Sequence, residues 1–232
     1  MRLKLYFLLA LLPLWHVAAA DAAVTVGATR LIYNGASNEA NLNVSNREDT
    51  SPYLVQSWVS RFGGTSEESV DSFIVTPPLF RLDANKENIL RVIFAGGADV
   101  PQDRESLFLM NVKAIPAMSD DQKGKNVLQI ALKTTIKLFY RPAGLKGELK
   151  DAVAQVNWKA NAGALMFNNT SKFHVVVSEL KLNGQPITQA PDVLRPGQQQ
   201  ELAIQAKPGD EVQMSYIDDY GSVVTAPVVR LH

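Results

Sequence analysis

Apolar and polar residues alternate with a period of two in short runs along most of this chain. Ala23 to Ile32 and Ala40 to Val44 alternate and carry β-branched side chains, and Tyr53 to Ser60 (YLVQSWVS) alternates around Trp58. Phe73 to Val75 follows and runs into Thr76-Pro77-Pro78, read as a rigid turn. Ile89 to Phe94 and Leu107 to Val112 come next. Such runs predict half-buried β-strands. The longest candidate is Asn126 to Tyr140 (NVLQIALKTTIKLFY). Its LQIALK segment suits a helix, but the threonine pair and the alternation predict a strand.

Arg141-Pro142-Ala143-Gly144-Leu145 interrupts the pattern with linker chemistry. Beyond it, short strands are predicted at Ala154 to Trp158, Ala164 to Phe167, Phe173 to Leu182, Glu201 to Ala206, Glu211 to Ile217 and Val223 to Arg230. Asn183-Gly184 is a hairpin signal. Evenly spaced short strands in both halves predict an all-β chain of two sandwiches, with no sequence repeat between them. The expected division is residues 1–22, 23–143 and 144–232.

The first of these segments differs in kind. Arg2 and Lys4 precede an apolar run from Leu5 to Val17, and Ala18-Ala19-Ala20 then offers small residues, with a second cut possible after Ala22. This reads as a secretory signal, too short for a comfortable membrane span. Export is therefore expected. The 232 residues carry no cysteine, so the sandwiches must rest on core burial alone, which domains of about 100 residues allow. Formal net charge is +0, and losing Arg2 and Lys4 leaves a slightly acidic mature chain. Without local basic clusters, nucleic acid is not an expected partner.

Candidate chemistry is sparse. Past the signal only His174 and His232 remain, and His232 is the last residue. A serine–histidine–acid triad would depend on His174, without any G-x-S-x-G elbow. His174 lies in a strand-like run beside Phe173, where a structural role is expected. One usable histidine also argues against zinc, and no metal or cofactor is implied. Glu67-Glu68 and Asp218-Asp219 are adjacent acids, which on a strand point to opposite faces. Gly63-Gly64 lacks the setting of a phosphate loop. Asn168-Asn169-Thr170 is a formal glycosylation sequon.

Three features remain: Arg30 in an early apolar strand, the alternating Leu128, Ile130 and Leu132, and Lys137 further along the same strand. On composition alone the cations are solvated charges and the aliphatic residues are core. The segments around them carry more. TRLIY (29–33), PYLVQSW (52–58), TPPLFRL (76–82), RESLFLMNVKAIP (104–116), NVLQIAL (126–132), IKLFYRP (136–142), the N-x-T element at Asn168 to Thr170 and DDYG (218–221) occur in order over nearly the whole mature chain. Together they resemble the periplasmic chaperones of the chaperone–usher pathway, the PapD-like family.

That resemblance implies two immunoglobulin-like sandwiches in a boomerang arrangement, with a periplasmic, non-enzymatic binding function. Members of the family cap pilus subunits that lack their last strand. Carried over by residue, Arg30 and Lys137 are expected to hold the subunit's C-terminal carboxylate. Leu128, Ile130 and Leu132 are expected to fill its open groove. Glu105, Arg141 and Asp219 match a charged network joining the domains. Leu54, Pro77 and Ile115 match an apolar surface that docks on the outer-membrane usher. The loop from Ala117 to Lys125 places the chain in the short-loop branch.

One conflict arises from parity. Leu128, Ile130, Leu132, Ile136 and Leu138 share one face if the strand is regular, and Lys137 the other. A bulge or twist at Thr134-Thr135 is expected to separate the donor residues from the core. Two other functions stay open: an exported immunoglobulin-like adhesive or structural module, and a β-sandwich hydrolase. Whether the free protein dimerises to cap its own donor strand is also open.

Overall fold

The computed structural model describes residues 23–65, 67–118 and 124–232. The signal segment therefore lies outside the described residues, as does the middle of the loop from Ala117 to Lys125. Among the described residues the first half forms nine strands: β1 (Val24–Val26), β2 (Arg30–Asn34), β3 (Ala40–Asn46), β4 (Tyr53–Arg61), β5 (Phe73–Thr76), β6 (Leu79–Leu82), β7 (Glu87–Phe94), β8 (Ser106–Pro116) and β9 (Leu132–Arg141). They make two sheets, ordered β1-β3-β7-β5 and β2-β9-β8-β4-β6. Between them Leu42, Val44, Val55, Leu90, Met110 and Leu138 are almost fully buried.

The predicted strand from Ala23 to Ile32 is in fact two strands in different sheets. Gly27 to Thr29 makes the crossing, and a Cβ on Gly27 would sit 3.2 Å from that of Asn43. A chain switching sheets this way closes one side of a sandwich. β6 was not expected, because Pro77 and Pro78 were read as ending the pattern. Proline is tolerated there because β6 is an edge strand.

The second half opens with a short helix, α1 (Leu149–Val153), where only strand was anticipated nearby. Leu149, Ala152 and Val153 cap the second core. Nine strands follow: β10 (Val156–Asn161), β11 (Ala164–Asn169), β12 (Val175–Leu182), β13 (Gln185–Pro186), β14 (Val193–Leu194), β15 (Gln199–Gln205), β16 (Glu211–Ile217), β17 (Val223–Thr225) and β18 (Val229–Arg230). One sheet is β10-β11-β15, and the other is β13-β12-β16-β17 with β14 and β18 attached. Trp158, Phe167, Leu165 and Leu180 fill the space between. A third apolar cluster of Leu107, Phe139, Val176 and Val193 joins the two sandwiches.

Two expectations about the longest strand need correction. It begins at Leu132 rather than Asn126. Its neighbour β8 ends at Pro116, and the last rung pairs Ala114 with Leu132, so residues 126–131 have no partner strand to define a ladder. Nor is there a bulge at Thr134-Thr135: β8 and β9 keep one unbroken register from Ser106↔Tyr140 to Ala114↔Leu132.

Candidate functional site

β9 settles the parity conflict without any irregularity. Ile136, Leu138 and Tyr140 are buried in the first core. On the same face Leu132 is 58% exposed, and Ile130 and Leu128 in the segment before β9 are 62% and 89% exposed. Within β9, Leu132 and Thr134 lie beyond the cover that buries Ile136. One face is thus core for half its length and bare for the other half.

The edge of β9 divides at the same point. β2 pairs with it in parallel, but only from Arg30↔Lys137 to Asn34↔Arg141. From Leu132 to Ile136 the other edge has no ladder partner among the described residues. Unpaired backbone groups beside exposed aliphatic side chains form a template for another strand.

Arg30 and Lys137 stand directly opposite each other where β2 begins. Lys137 Nζ lies 3.0 Å from Asp192 of the second domain. Arg30 Nη1 donates to the carbonyl of Ile217, 3.1 Å away, and the guanidinium stands 5.8 Å over the ring of Phe139. Its Nε is buried and has no hydrogen-bond partner. Burial pushes the guanidinium below its ordinary pKa, against the opposing field of Asp219, Asp218 and Glu105. Two cations, one with a buried unused donor, make a site that favours an added anion.

A few residues away the charges are fully matched. Arg141 Nε donates to Glu105 Oε1 at 2.7 Å, and Nη1 and Nη2 donate to both oxygens of Asp219 at 2.6 Å. The guanidinium also lies 5.2 Å from the ring of Phe173. Burial alone would lower its pKa, but the hydrogen bonds and charges of Asp219 and Glu105 outweigh that and raise it. The second oxygen of Glu105 accepts the His174 amide at 2.8 Å and faces its Nδ1 at 3.2 Å. His174 is buried, in keeping with the expected structural place. Its tie to Glu105, however, gave no sign in the sequence.

The DDYG turn presents Asp219. Asp218 Oδ1 accepts the amides of Tyr220 and Ser222, which curls the loop. Gly221 has φ +88°, and a Cβ there would lie 2.5 Å from Thr29 Oγ1. Glycine lets the turn seat against the residue before Arg30.

The outer face of the larger sheet carries one further surface. Leu54 and Ile115 are cross-strand partners. With Leu79 and Pro78, and with Ile74 on β5 of the other sheet, they border a groove of about 810 Å³ that spans the two sheets. Pro77 is not in that lining. It is half-buried, and its carbonyl accepts the Ser57 hydroxyl at 3.0 Å. Among the described residues no group of His, Cys, Asp and Glu could hold a metal ion.

Two immunoglobulin-like sandwiches, one with a strand that outruns its own core beside a pair of cations, define a class of two-domain binding proteins. The family models agree. "Pili and flagellar-assembly chaperone, PapD N-terminal domain" matches residues 23–146, and "Pili assembly chaperone PapD, C-terminal domain" matches residues 151–227. The chain belongs to this family. It is 42% identical over 201 residues to the probable fimbrial chaperone LpfB of Escherichia coli O157:H7, covering 86% of this chain and 84% of that one. It is 37% identical to the chaperone protein FimC of E. coli K12, covering 88% and 83%. A chain in the structure of the Salmonella enterica SafA pilin in complex with the SafB chaperone matches with a TM-score of 0.77 and 31% identity, covering 92% and 99%.

Proposed function

We propose that this protein is a periplasmic chaperone that caps fimbrial subunits with β9 and delivers them to an outer-membrane usher. The observation that carries this reading is the bare, unpaired stretch of β9 running into Arg30 and Lys137. A subunit strand added along residues 128–136 would lie in line with β2 on the same edge. Run parallel to β9, it would end where β2 begins, so its terminal carboxylate would meet both cations. The anchor needs no side chain of the right parity, because it binds a chain end. Leu128, Ile130 and Leu132 would enter the subunit's open groove, each contributing about 1.5–3 kcal/mol when buried.

The ion network of Glu105, Arg141 and Asp219 is assigned to holding the two domains, divided near residues 143 and 144. Leu54, Pro77 and Ile115 are assigned to the usher, with Leu79 and Pro78 bordering the same groove as Leu54 and Ile115. Residues 1–22 are assigned to an export signal. The function is binding rather than catalysis, without cofactor, metal or nucleic acid.

Co-expression in the periplasm with a pilus operon lacking its own chaperone tests the reading. One-to-one complexes with subunits, and restored pili, are expected. Failure to retain any incomplete subunit, with the protein folded, would overturn it in favour of an exported adhesive or structural module.

A further inference from the structure

The outward face of β9 alternates Lys133, Thr135 and Lys137, and each ends on a different element. Lys133 Nζ pairs with Glu67 in the β4–β5 loop and stands 6.0 Å over the Trp58 ring. Thr135 Oγ1 donates to Asn111 Oδ1 on β8 at 2.9 Å, and Asn111 Nδ2 donates to Ser60 Oγ on β4 at 2.9 Å. Lys137 reaches Asp192 in the second domain. Asn111 and Ser60 are both 0% exposed, although they face away from the apolar core. A polar line thus crosses three neighbouring strands, β4, β8 and β9, under the open edge.

The opposite face of this stretch offers little to hold it. Leu132 and Thr134 are exposed, and only β8 pairs with the backbone before Lys137. A strand end with one neighbour and no covered face should fray. We infer that Asn111, Ser60 and Thr135, with Glu67 holding Lys133, are positioning residues that keep the start of β9 straight before a partner strand arrives. This rests on the reading of β9 as the lent edge. The ordering entropy of residues 132–136 is then met in folding rather than in binding.

Thr135→Val removes the donor with little change of shape at an exposed position. Amide hydrogen exchange of the free protein and the Kd for one purified subunit are measured together. Exchange at residues 132–136 is expected to rise about three- to tenfold, the loss of one ordinary hydrogen bond, with the remaining amides and Tm nearly unchanged. Subunit Kd should weaken by a similar factor, and Thr135→Ser should restore both. Glu67→Gln should act in the same direction, more weakly. Unchanged exchange in Thr135→Val would overturn the inference, as would faster exchange with unchanged Kd. Should the wild type bind no subunit, the donor reading fails, while the exchange comparison still tests whether these ties order the strand.

Discussion

Arg141 and Arg30 sit at the same junction between domains, yet their surroundings are opposite. Arg141 spends three nitrogens on two carboxylates, Glu105 and Asp219. Arg30 has one bond to a backbone carbonyl and a buried Nε with no partner. Its neighbour Lys137, among the described residues, pairs with the solvent-facing carboxylate of Asp192. A satisfied buried ion is part of the scaffold, because removing any member strands the rest. An unsatisfied one marks a place where something else is expected to bind. The lesson extends to β9 and the segment before it, where Ile136, Leu138 and Tyr140 are covered while Leu128, Ile130 and Leu132 are bare.

The contrast can be broken from either side. The largest effect should come from Glu105→Ala, which leaves Arg141 and the His174 amide without their buried acceptor. Chemical denaturation should register a loss of about 3–5 kcal/mol. A loss near zero would mean that the matched ions are not structural.

Ile130→Glu should come next, with the effect on capture alone. It removes about 1.5–3 kcal/mol of apolar burial in the complex and adds the cost of a buried charge. The variant should keep the wild-type Tm, because Ile130 is already 62% exposed. A fall in Tm would return this residue to the protein's own core.

Arg30→Ala and Lys137→Ala should each cost about 1.5–3 kcal/mol of subunit affinity, the range for hydrogen bonds to charged groups. Titration calorimetry with a subunit, and with the same subunit amidated at its C-terminus, separates the anchor from general charge. If amidation costs the wild type nothing, no carboxylate is held there. The smallest effect should be Asp192→Ala, an exposed pair worth at most about 1 kcal/mol in stability. A change of several kcal/mol would make Lys137 a scaffold ion like Arg141.

Alternation by itself determined that this chain is built almost entirely of β-strands, and that Leu132 shares a face with Ile136 and Leu138. Local pattern carries such information because side chains on a strand obey a period of two wherever the strand goes. It could not say where cover ends. That depends on how far the opposing sheet reaches, so a bulge was expected where the structure has none. The crossing at Gly27, the helix at Leu149–Val153 and the short edge strand after Pro78 were also hidden, since propensity yields to packing. Asn111 drew no notice in the sequence, because its bonds to Ser60 and Thr135 come from strands 51 and 24 residues away. Asp192 and His174 meet Lys137 and Glu105 across the domain junction. Contacts between distant segments exist only after folding, and those contacts decide which charges are satisfied and which remain available.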